Sequence, residues 1–467
     1  MVVATADGGE GVGGVLGGPS PFGALLRRHR AAAGLSQEAL AGAADVGVNT
    51  IADLEAGRHR AAHPATAAAL ARGLGLAPAQ TRAFGEAAAL GRKRGPRTPA
   101  RPTPPAPPTA LVGREDDLAA AVAALQGGAR LLTLVGPGGV GKTRLAVAIA
   151  AALAREGDLP AGVWVVDLAP VRDPDLLVPA VARALGLRAD AAPPTVDAVA
   201  ARLAGRRALL LLDTIERVAA PAGALAAALL AACPGLRVLA TGRVALRVRG
   251  ERVQPVDPLP VPPPDPLPDP AELARCPAVR LLVARARDAR PGFRLGDANA
   301  AAVAAICRRL DGLPLALELA AGHLATLPPE DLLARLARPV DLLVDGPRDL
   351  PARQRALRDT IAWGYDALDA DAQTLFRRLA TVADGATAAD LRALDTVGGA
   401  EAASADLPAA LAALAAHHLV RRRDDGAGGA PRYGLLATTR DYALERAVGG
   451  EAGPDPHVAA DTGTARR

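Results

Sequence analysis

The stretch "LLTLVGPGGVGKTR", Leu131–Arg144, decides the fold of the central part of this 467-residue chain. An apolar run leads into a glycine-rich turn, and a helical pattern follows the turn. Lys142 is one of only two lysines, the other being Lys93; every remaining basic residue is an arginine. A compact ammonium reaches between the β- and γ-phosphates of a nucleotide, where a planar guanidinium is too bulky. The pattern therefore predicts a phosphate-binding loop between a strand and a helix.

Such a loop binds phosphate oxygens with its backbone N–H groups and with the N-terminus of the following helix. We expect nucleotide contacts from Gly136, Gly138, Gly139, Val140, Gly141, Lys142, Thr143 and Arg144. The Thr143 hydroxyl is the expected ligand of Mg²⁺. The predicted cofactors are ATP or ADP with Mg²⁺.

Two later strand ends supply candidate partners for this loop. "LLLLD" ends at Asp213, and a carboxylate at the tip of a buried strand can bind Mg²⁺ through water. "LATGR" ends at Arg243, which either reads the γ-phosphate or is a solvated strand-end arginine. We predict Lys142, Asp213 and Arg243 as the catalytic residues, and Thr143 and Asp213 as the metal ligands. Thr214, rather than an acid, follows Asp213, and Glu216 cannot be placed from sequence, so we predict at most slow hydrolysis.

Composition shifts divide the chain into segments. The predicted fold class is an all-α helix-turn-helix bundle, then an α/β P-loop NTPase domain with a parallel sheet, then helical and winged-helix domains. Predicted strands are 130–136, 162–169, 207–214, 236–243 and 251–257. The predicted boundaries are a disordered tail 1–19, a helix-turn-helix domain 20–90, a Pro/Arg-rich linker 91–110, a P-loop domain 111–259, a helical domain 260–348, a winged-helix domain 349–446 and a disordered tail 447–467.

Charge and cysteine content narrow the function classes. Net charge is +5, which permits a nucleic-acid partner without requiring one. Three cysteines far apart argue against a disulfide framework or a zinc site. No apolar run has membrane-spanning length and no secretory signal is visible, so we expect a cytoplasmic protein.

In combination, these motifs resemble the NB-ARC branch of the STAND ATPases, which are signal-transducing nucleotide switches. "LVGRE", 111–115, resembles the segment that contacts adenine, which implies that Val112 and Arg114 lie near the base. "GLPLALELAA", 312–321, resembles a helical-domain motif in which Pro314 packs on adenine. The stretches 357–382 and 432–447 resemble a winged-helix domain that closes over bound ADP. Where many members have a phosphate-contacting histidine, this chain has Leu436 followed by Ala437.

Residues 22–76 resemble the XRE (Cro/C1-type) helix-turn-helix family. The pattern predicts a helix with Ser36 as its N-cap, a "DVG" turn, and a recognition helix "VNTIADLEAG" that begins after Gly47 without a side-chain cap and ends at Gly57. The predicted apolar core is Leu25, Leu26, Leu35, Leu40, Ala43, Val46, Val48, Ile51 and Leu54. Asn49 and Thr50 are the expected base contacts, with Gln37 and Arg58 on phosphates.

Two functions remain open. The first is a DNA-binding transcriptional regulator of the STAND type switched by ATP and ADP, whose partner is double-stranded DNA and which forms homo-oligomers in the ATP state. The second is a nucleotide-gated signalling or defence scaffold whose N-terminal module binds protein rather than DNA. A motor-like ATPase is disfavoured by Thr214.

Overall fold

Five helices form the first part of the chain, as far as the structure describes it. The computed structural model describes residues 21–56, 62–92, 102–105, 109–187, 193–348, 350–382, 385–397, 406–423 and 430–448. Its contacts divide the chain into two units, Met1–Ala100 and Arg101–Arg467, which are described separately. The helices of the first unit are α1 (Pro21–Ala32), α2 (Gln37–Ala44), α3 (Val48–Glu55), α4 (Pro64–Gly73) and α5 (Pro78–Arg92).

The start of α2 and the turn between α2 and α3 have the predicted capping residues. Ser36 caps α2 by accepting a hydrogen bond from the Ala39 N–H at 3.0 Å, and α2 ends at Asp45 with a left-handed φ of 51°. Gly47 starts α3 without a side-chain cap. The predicted end of this helix at Gly57 lies outside the described residues; regular helix stops at Glu55.

A small apolar core holds the five helices together. It is built around the fully buried side chains of Phe22, Leu26, Leu40, Ile51, Leu54, Leu70 and Phe84. Leu25, Leu35 and Val46 pack against this core and are half-buried. Ala43 and Val48, which we expected in the core, are exposed. That part of the prediction was wrong because helices of eight residues bury only a narrow stripe.

Five parallel strands form the centre of the second unit, in the order β2-β3-β4-β1-β5. The strands are β1 (Leu131–Val135), β2 (Val163–Asp167), β3 (Ala208–Asp213), β4 (Leu236–Gly242) and β5 (Glu251–Pro255). Each lies inside its predicted range. Every residue of β1 and β3 is buried, as expected for strands covered on both faces.

Helices cover both faces of this sheet. They are α6 (Glu115–Gln126), α7 (Lys142–Arg155), α8 (Leu177–Ala184), α9 (Val196–Leu203) and α10 (Ala219–Ala232). Alternate residues of one strand enter different cores: Leu209 and Leu211 pack with α6 and α7, whereas Leu210 and Leu212 pack with α8, α9 and α10. The predicted α/β P-loop fold with a parallel sheet is confirmed.

The remainder of the second unit is helical, with a small three-stranded antiparallel sheet of order β6-β8-β7. Its first helices are α11 (Pro270–Leu273), α12 (Pro277–Ala289), α13 (Asp297–Arg309), α14 (Pro314–His323), α15 (Pro329–Arg335) and α16 (Pro339–Leu342). These are followed by α17 (Leu357–Tyr365), α18 (Ala370–Leu379), β6 (Ala386–Thr387), α19 (Ala388–Val397), α20 (Leu407–Ala416), β7 (Arg421–Arg423), β8 (Arg432–Gly434) and α21 (Ala437–Val448).

One continuous apolar core joins the α6–α7 face of the sheet to these later helices. It includes Leu145 of α7, Leu317 of α14, Tyr365 of α17 and Tyr442 of α21. Cys233, Cys276 and Cys307 are free thiols. None of the helices among the residues that the structure describes has the length and apolar character needed to span a bilayer.

Glu55 is the charged group that ties α3 to the helices before it. Its carboxylate accepts hydrogen bonds from Arg30 at 2.8 and 2.9 Å and from Gln37 at 2.8 Å, although Glu55 is only 1% exposed. Burial opposes ionisation, but the bonds from Arg30 and Gln37 hold the pKa of Glu55 below its usual 4.5.

We expect Glu55→Gln to destabilise α1–α3 by about 2 kcal/mol, since charge-assisted hydrogen bonds are lost. Amide hydrogen exchange of the full chain, followed by mass spectrometry of peptides from 21–56, measures this effect. Because the folded pKa is lowered, the stabilisation is complete above about pH 4.5 and is lost as the pH falls through the folded value. Glu38→Gln, at an exposed position of α2, is the control and leaves exchange unchanged.

Candidate functional site

The loop between β1 and α7 is shaped by glycines. Gly139 and Gly141 have left-handed φ values of 75° and 97°, which residues with a Cβ rarely adopt. A Cβ on Gly138 would lie 2.5 Å from Nη2 of Arg243 and 2.7 Å from Cγ2 of Thr360. The loop therefore requires glycine both for its turn and for its close contact with neighbouring side chains.

Lys142 begins α7 and folds back over the loop. Its ammonium donates hydrogen bonds to the carbonyl oxygens of Gly136 at 2.8 Å and Pro137 at 2.9 Å. Burial lowers the pKa of Lys142 to about 8; the carboxylates of Glu216 and Asp213 raise it and Arg243 lowers it further. A buried cation of this kind is stabilised by a bound anion, which is what a phosphate would supply.

Asp213 is the carboxylate that connects three elements of the site. Its Oδ1 accepts hydrogen bonds from Thr143 at 2.7 Å and from Thr241 at 2.5 Å. Because β4 lies between β1 and β3, Thr241 on β4 stands beside Asp213 at the end of β3. Burial raises the pKa of Asp213. The predicted metal ligands Thr143 and Asp213 are thus in direct contact and offer the oxygen atoms that Mg²⁺ prefers.

Arg243 follows the end of β4 and is only 4% exposed. Its Nη2 donates to the carbonyl oxygen of Thr360 on α17 at 2.6 Å, and burial lowers its pKa. Of the two alternatives for Arg243, the structure excludes the solvated strand-end arginine. The guanidinium lies in the wall of the same cavity as Lys142.

This cavity has a volume of about 330 Å³ and is lined by both polar and apolar side chains. Leu111, Val112, Leu281, Pro314 and Leu315 provide apolar lining, so the cavity brings the predicted base-contacting residues Val112 and Pro314 together. It also contains the loop residues Gly138, Gly139, Val140, Gly141, Lys142, Thr143 and Arg144; Gly136 is outside this lining but accepts the Lys142 hydrogen bond. The combination fits a nucleotide, with phosphates on the loop and the base among apolar side chains.

Arg114 and Arg144 line the cavity but are also engaged with protein groups. Arg114 donates to the carbonyl oxygen of Val140 at 3.0 Å and pairs with Asp117. Arg144 donates to Thr109 at 2.7 Å and pairs with Glu318 at 3.4 Å. Arg114 therefore connects the start of α6 to the phosphate loop, and Arg144 connects α7 to the segment before α6.

Sequence reasoning missed several residues of the site. Thr241, Glu216, Thr360 and Trp363 all line the cavity. Thr241 could have been found from the sequence. It has a hydroxyl, and it lies two residues before Arg243 on a strand whose end was already predicted to belong to the site. Trp363 lies on α17 and stacks on Arg217, whose guanidinium carbon is 3.8 Å from the ring centre.

The candidate DNA-contacting residues belong to the first unit. Asn49 and Thr50 are exposed in the first turn of α3, where a recognition helix reads bases. Gln37, expected on a phosphate, donates instead to Glu55. Arg58 lies outside the described residues.

Removal of the Lys142 ammonium tests the cavity as a nucleotide site. We expect Lys142→Ala to weaken ATP binding at least about 30-fold, because truncating one partner of a buried charge pair costs about 2–5 kcal/mol. Equilibrium binding of a fluorescent ATP analogue measures the change. Lys93→Ala, which alters the only other lysine, is the matched control. Equal affinities of the two variants would refute the site.

Comparisons with known families agree with this architecture. A helix-turn-helix domain model matches residues 21–84, an AAA domain model matches residues 125–242 and a winged helix-turn-helix domain model matches residues 368–447. Among solved structures, the Walker-type ATPase PABY2304 of Pyrococcus abyssi has a TM-score of 0.51 at 15% identity, covering 72% of this chain and 96% of that one. At this identity the likeness shows the fold alone.

Two curated relatives come from Mycobacterium tuberculosis (strain ATCC 25618 / H37Rv). "Putative HTH-type transcriptional regulator Rv0890c" is 38% identical over 334 residues, which are 70% of this chain and 35% of the relative. "Uncharacterized protein Rv0894" is 35% identical over 277 residues, 59% of this chain and 66% of that protein. The chain spans about a third of the first relative's length. The chain therefore contains, in order, segments similar to a helix-turn-helix domain, an AAA domain and a winged helix-turn-helix domain.

Proposed function

We propose that the protein is a DNA-binding transcriptional regulator of the STAND type whose state is set by ATP or ADP with Mg²⁺. One observation carries this proposal: a single cavity is lined by the P-loop, by α12 and α14, and by the region around α17. A nucleotide in this cavity would contact all three. The presence or absence of the γ-phosphate would therefore affect how α12, α14 and α17 pack on the sheet.

Arg243 is the side chain through which a terminal phosphate would act. Its guanidinium donates a hydrogen bond to the carbonyl oxygen of Thr360 on α17. Gly364, also on α17, lies so close to this guanidinium that a Cβ there would collide with it. A γ-phosphate bound near Lys142 would compete with Thr360 for this cation, since charge-assisted hydrogen bonds are the stronger ones. ATP would then loosen α17, whereas ADP would leave its contact with Arg243 intact.

A second contact holds the winged helix without a nucleotide. Asp311 accepts hydrogen bonds from the N–H groups of Ala437 at 3.1 Å and Thr438 at 2.9 Å, and so caps the N-terminus of α21. Leu436 and Ala437 lie at this end of α21, and neither has a polar side chain that could contact a phosphate. Closure therefore depends on Arg243 and Asp311, and not on a phosphate bound at α21.

The output we propose is DNA binding by α3, with Asn49 and Thr50 reading bases in the major groove. Helix α20 precedes the β7–β8 hairpin, where a winged helix carries its reading helix, but it contains only Leu, Pro and Ala. Such a helix cannot form side-chain hydrogen bonds with base edges, which carry most base recognition. Recognition by a single small module is weak, so ATP-dependent pairing of two copies would raise affinity through effective concentration. A regulator of chromosomal DNA would act in the cytoplasm.

The alternative is a nucleotide-gated scaffold whose first unit binds protein. Exposure of Asn49 and Thr50 at the start of α3 favours DNA, because these short amides and hydroxyls match base edges. The name of the mycobacterial relative supports the same choice.

We expect Asn49→Ala to weaken binding to the selected operator by about 1–3 kcal/mol and to relax preference at one base pair. Selection from a random duplex library, followed by gel shifts at fixed salt, measures both. Glu38→Gln is the control, an exposed change on α2. Failure of the wild-type chain to enrich any sequence would favour the protein-binding scaffold.

Trp363 gives a direct readout of the switch, because the chain has only two tryptophans. The other, Trp164, is 5% exposed on β2, and Trp164→Phe would leave Trp363 as the single emitter. We expect ATP and ADP to produce different Trp363 emission, since this side chain lines the cavity from α17. Identical spectra with both nucleotides bound would contradict the switch while leaving nucleotide binding intact.

A further inference from the structure

The segment after β3 turns sharply into the cavity. Thr214 has a φ of 64°, a left-handed conformation that β-branched residues rarely adopt. Its N–H donates to Thr241 Oγ1 at 3.0 Å, and the side chains of Ile215 and Val218 are fully buried. These contacts hold a single 3-10 turn, Glu216–Val218, and bring Glu216 to the cavity wall.

Glu216 has a carboxylate oxygen that no group among the described residues satisfies. Its Oε2 is buried and has no hydrogen-bond partner in the part of the chain that the structure describes. A buried carboxylate oxygen in this condition is costly unless a water molecule or ligand binds it. Its negative charge also raises the pKa of both Lys142 and Arg243, so it lies close to the two cations that would hold the phosphates.

We infer that Glu216 orients the water molecule that attacks the terminal phosphate of ATP, and accepts its proton. The water oxygen forms a bond to the γ-phosphorus, and the bond from that phosphorus to the β–γ bridging oxygen breaks. The bridging electrons leave with ADP, and the proton passes through Glu216 to inorganic phosphate. This inference rests on the proposed nucleotide site. Thr214, the residue after Asp213, has no carboxylate, and Glu216 would supply this group three residues after Asp213.

The residue next to Glu216 links this group to α17. Arg217 stacks on Trp363 with its guanidinium carbon 3.8 Å from the ring centre, and Arg353 lies 5.6 Å from the same ring. Movement of α17 would therefore shift the Glu216 turn. The stacking of Arg217 on Trp363 would therefore help to hold the Glu216 turn in place, and its loss would slow hydrolysis.

The test compares the full-length wild type with Glu216→Gln. The control is Glu330→Gln, at an exposed position of α15. We expect Glu216→Gln to bind ATP within about twofold of the wild type and to release phosphate about 10²–10⁴-fold more slowly, the usual contribution of a general base.

Each other outcome has a defined meaning. Equal rates of phosphate release, or loss of ATP binding in Glu216→Gln, overturn the inference, as does a wild type that binds ATP without hydrolysing it; this last result leaves the proposed switch standing. A wild type that fails to bind ATP overturns the proposed function instead. Arg217→Ala, compared with the exposed Arg206→Ala, should slow hydrolysis without weakening ATP binding. Unchanged hydrolysis would remove the link to α17.

Discussion

The hydrogen bonds to Asp213 are the interaction on which the site depends. One carboxylate oxygen receives Thr143 from the start of α7 and Thr241 from β4, so the phosphate loop and two strands are held by a single acceptor. This geometry follows from the strand order, because β4 is inserted between the strand that leads into the loop and the strand that carries the acid. Thr241 also receives the N–H of Thr214, and so fixes the turn that follows. The positions of Glu216 and Arg217 therefore depend on the same group.

The site is completed by parts of the chain far from the loop in sequence. Pro314 and Leu315 come from α14, and Thr360 and Trp363 come from α17. Arg243 connects the sheet to α17 through the Thr360 carbonyl, and Asp311 connects α13 and α14 to α21. The Arg243–Thr360 contact and the contact of Asp311 with α21 are thus separate hydrogen-bond systems. In the proposed switch, their separation would allow α17 to loosen while α21 stays capped.

Local patterns predicted much of this architecture. The lysine at position 142, in a chain that otherwise uses arginine, identified the loop, and continuous apolar runs identified the five strands. Thr143 and Asp213 were predicted as ligands of the same metal ion, and the structure places them in direct contact. Glu216 could not be placed, because its direction depends on the left-handed φ of Thr214 and on its bond to Thr241. The hydrogen bond from Gln37 to Glu55 and the stacking of Trp363 on Arg217 were not predicted for a related reason: each joins residues that are distant in sequence.

The unbroken apolar core has a consequence for how such a molecule responds to its own abundance. Leucines and tyrosines from α7, α14, α17 and α21 pack in one hydrophobic core, so separating these helices would expose apolar surface to water. An isolated molecule would spend little time in that form. A second molecule that covered the exposed surface would stabilise it by mass action. If the proposed switch opens in this way, the concentration of the protein would influence it together with the nucleotide, and a higher concentration would favour the open form at constant ATP.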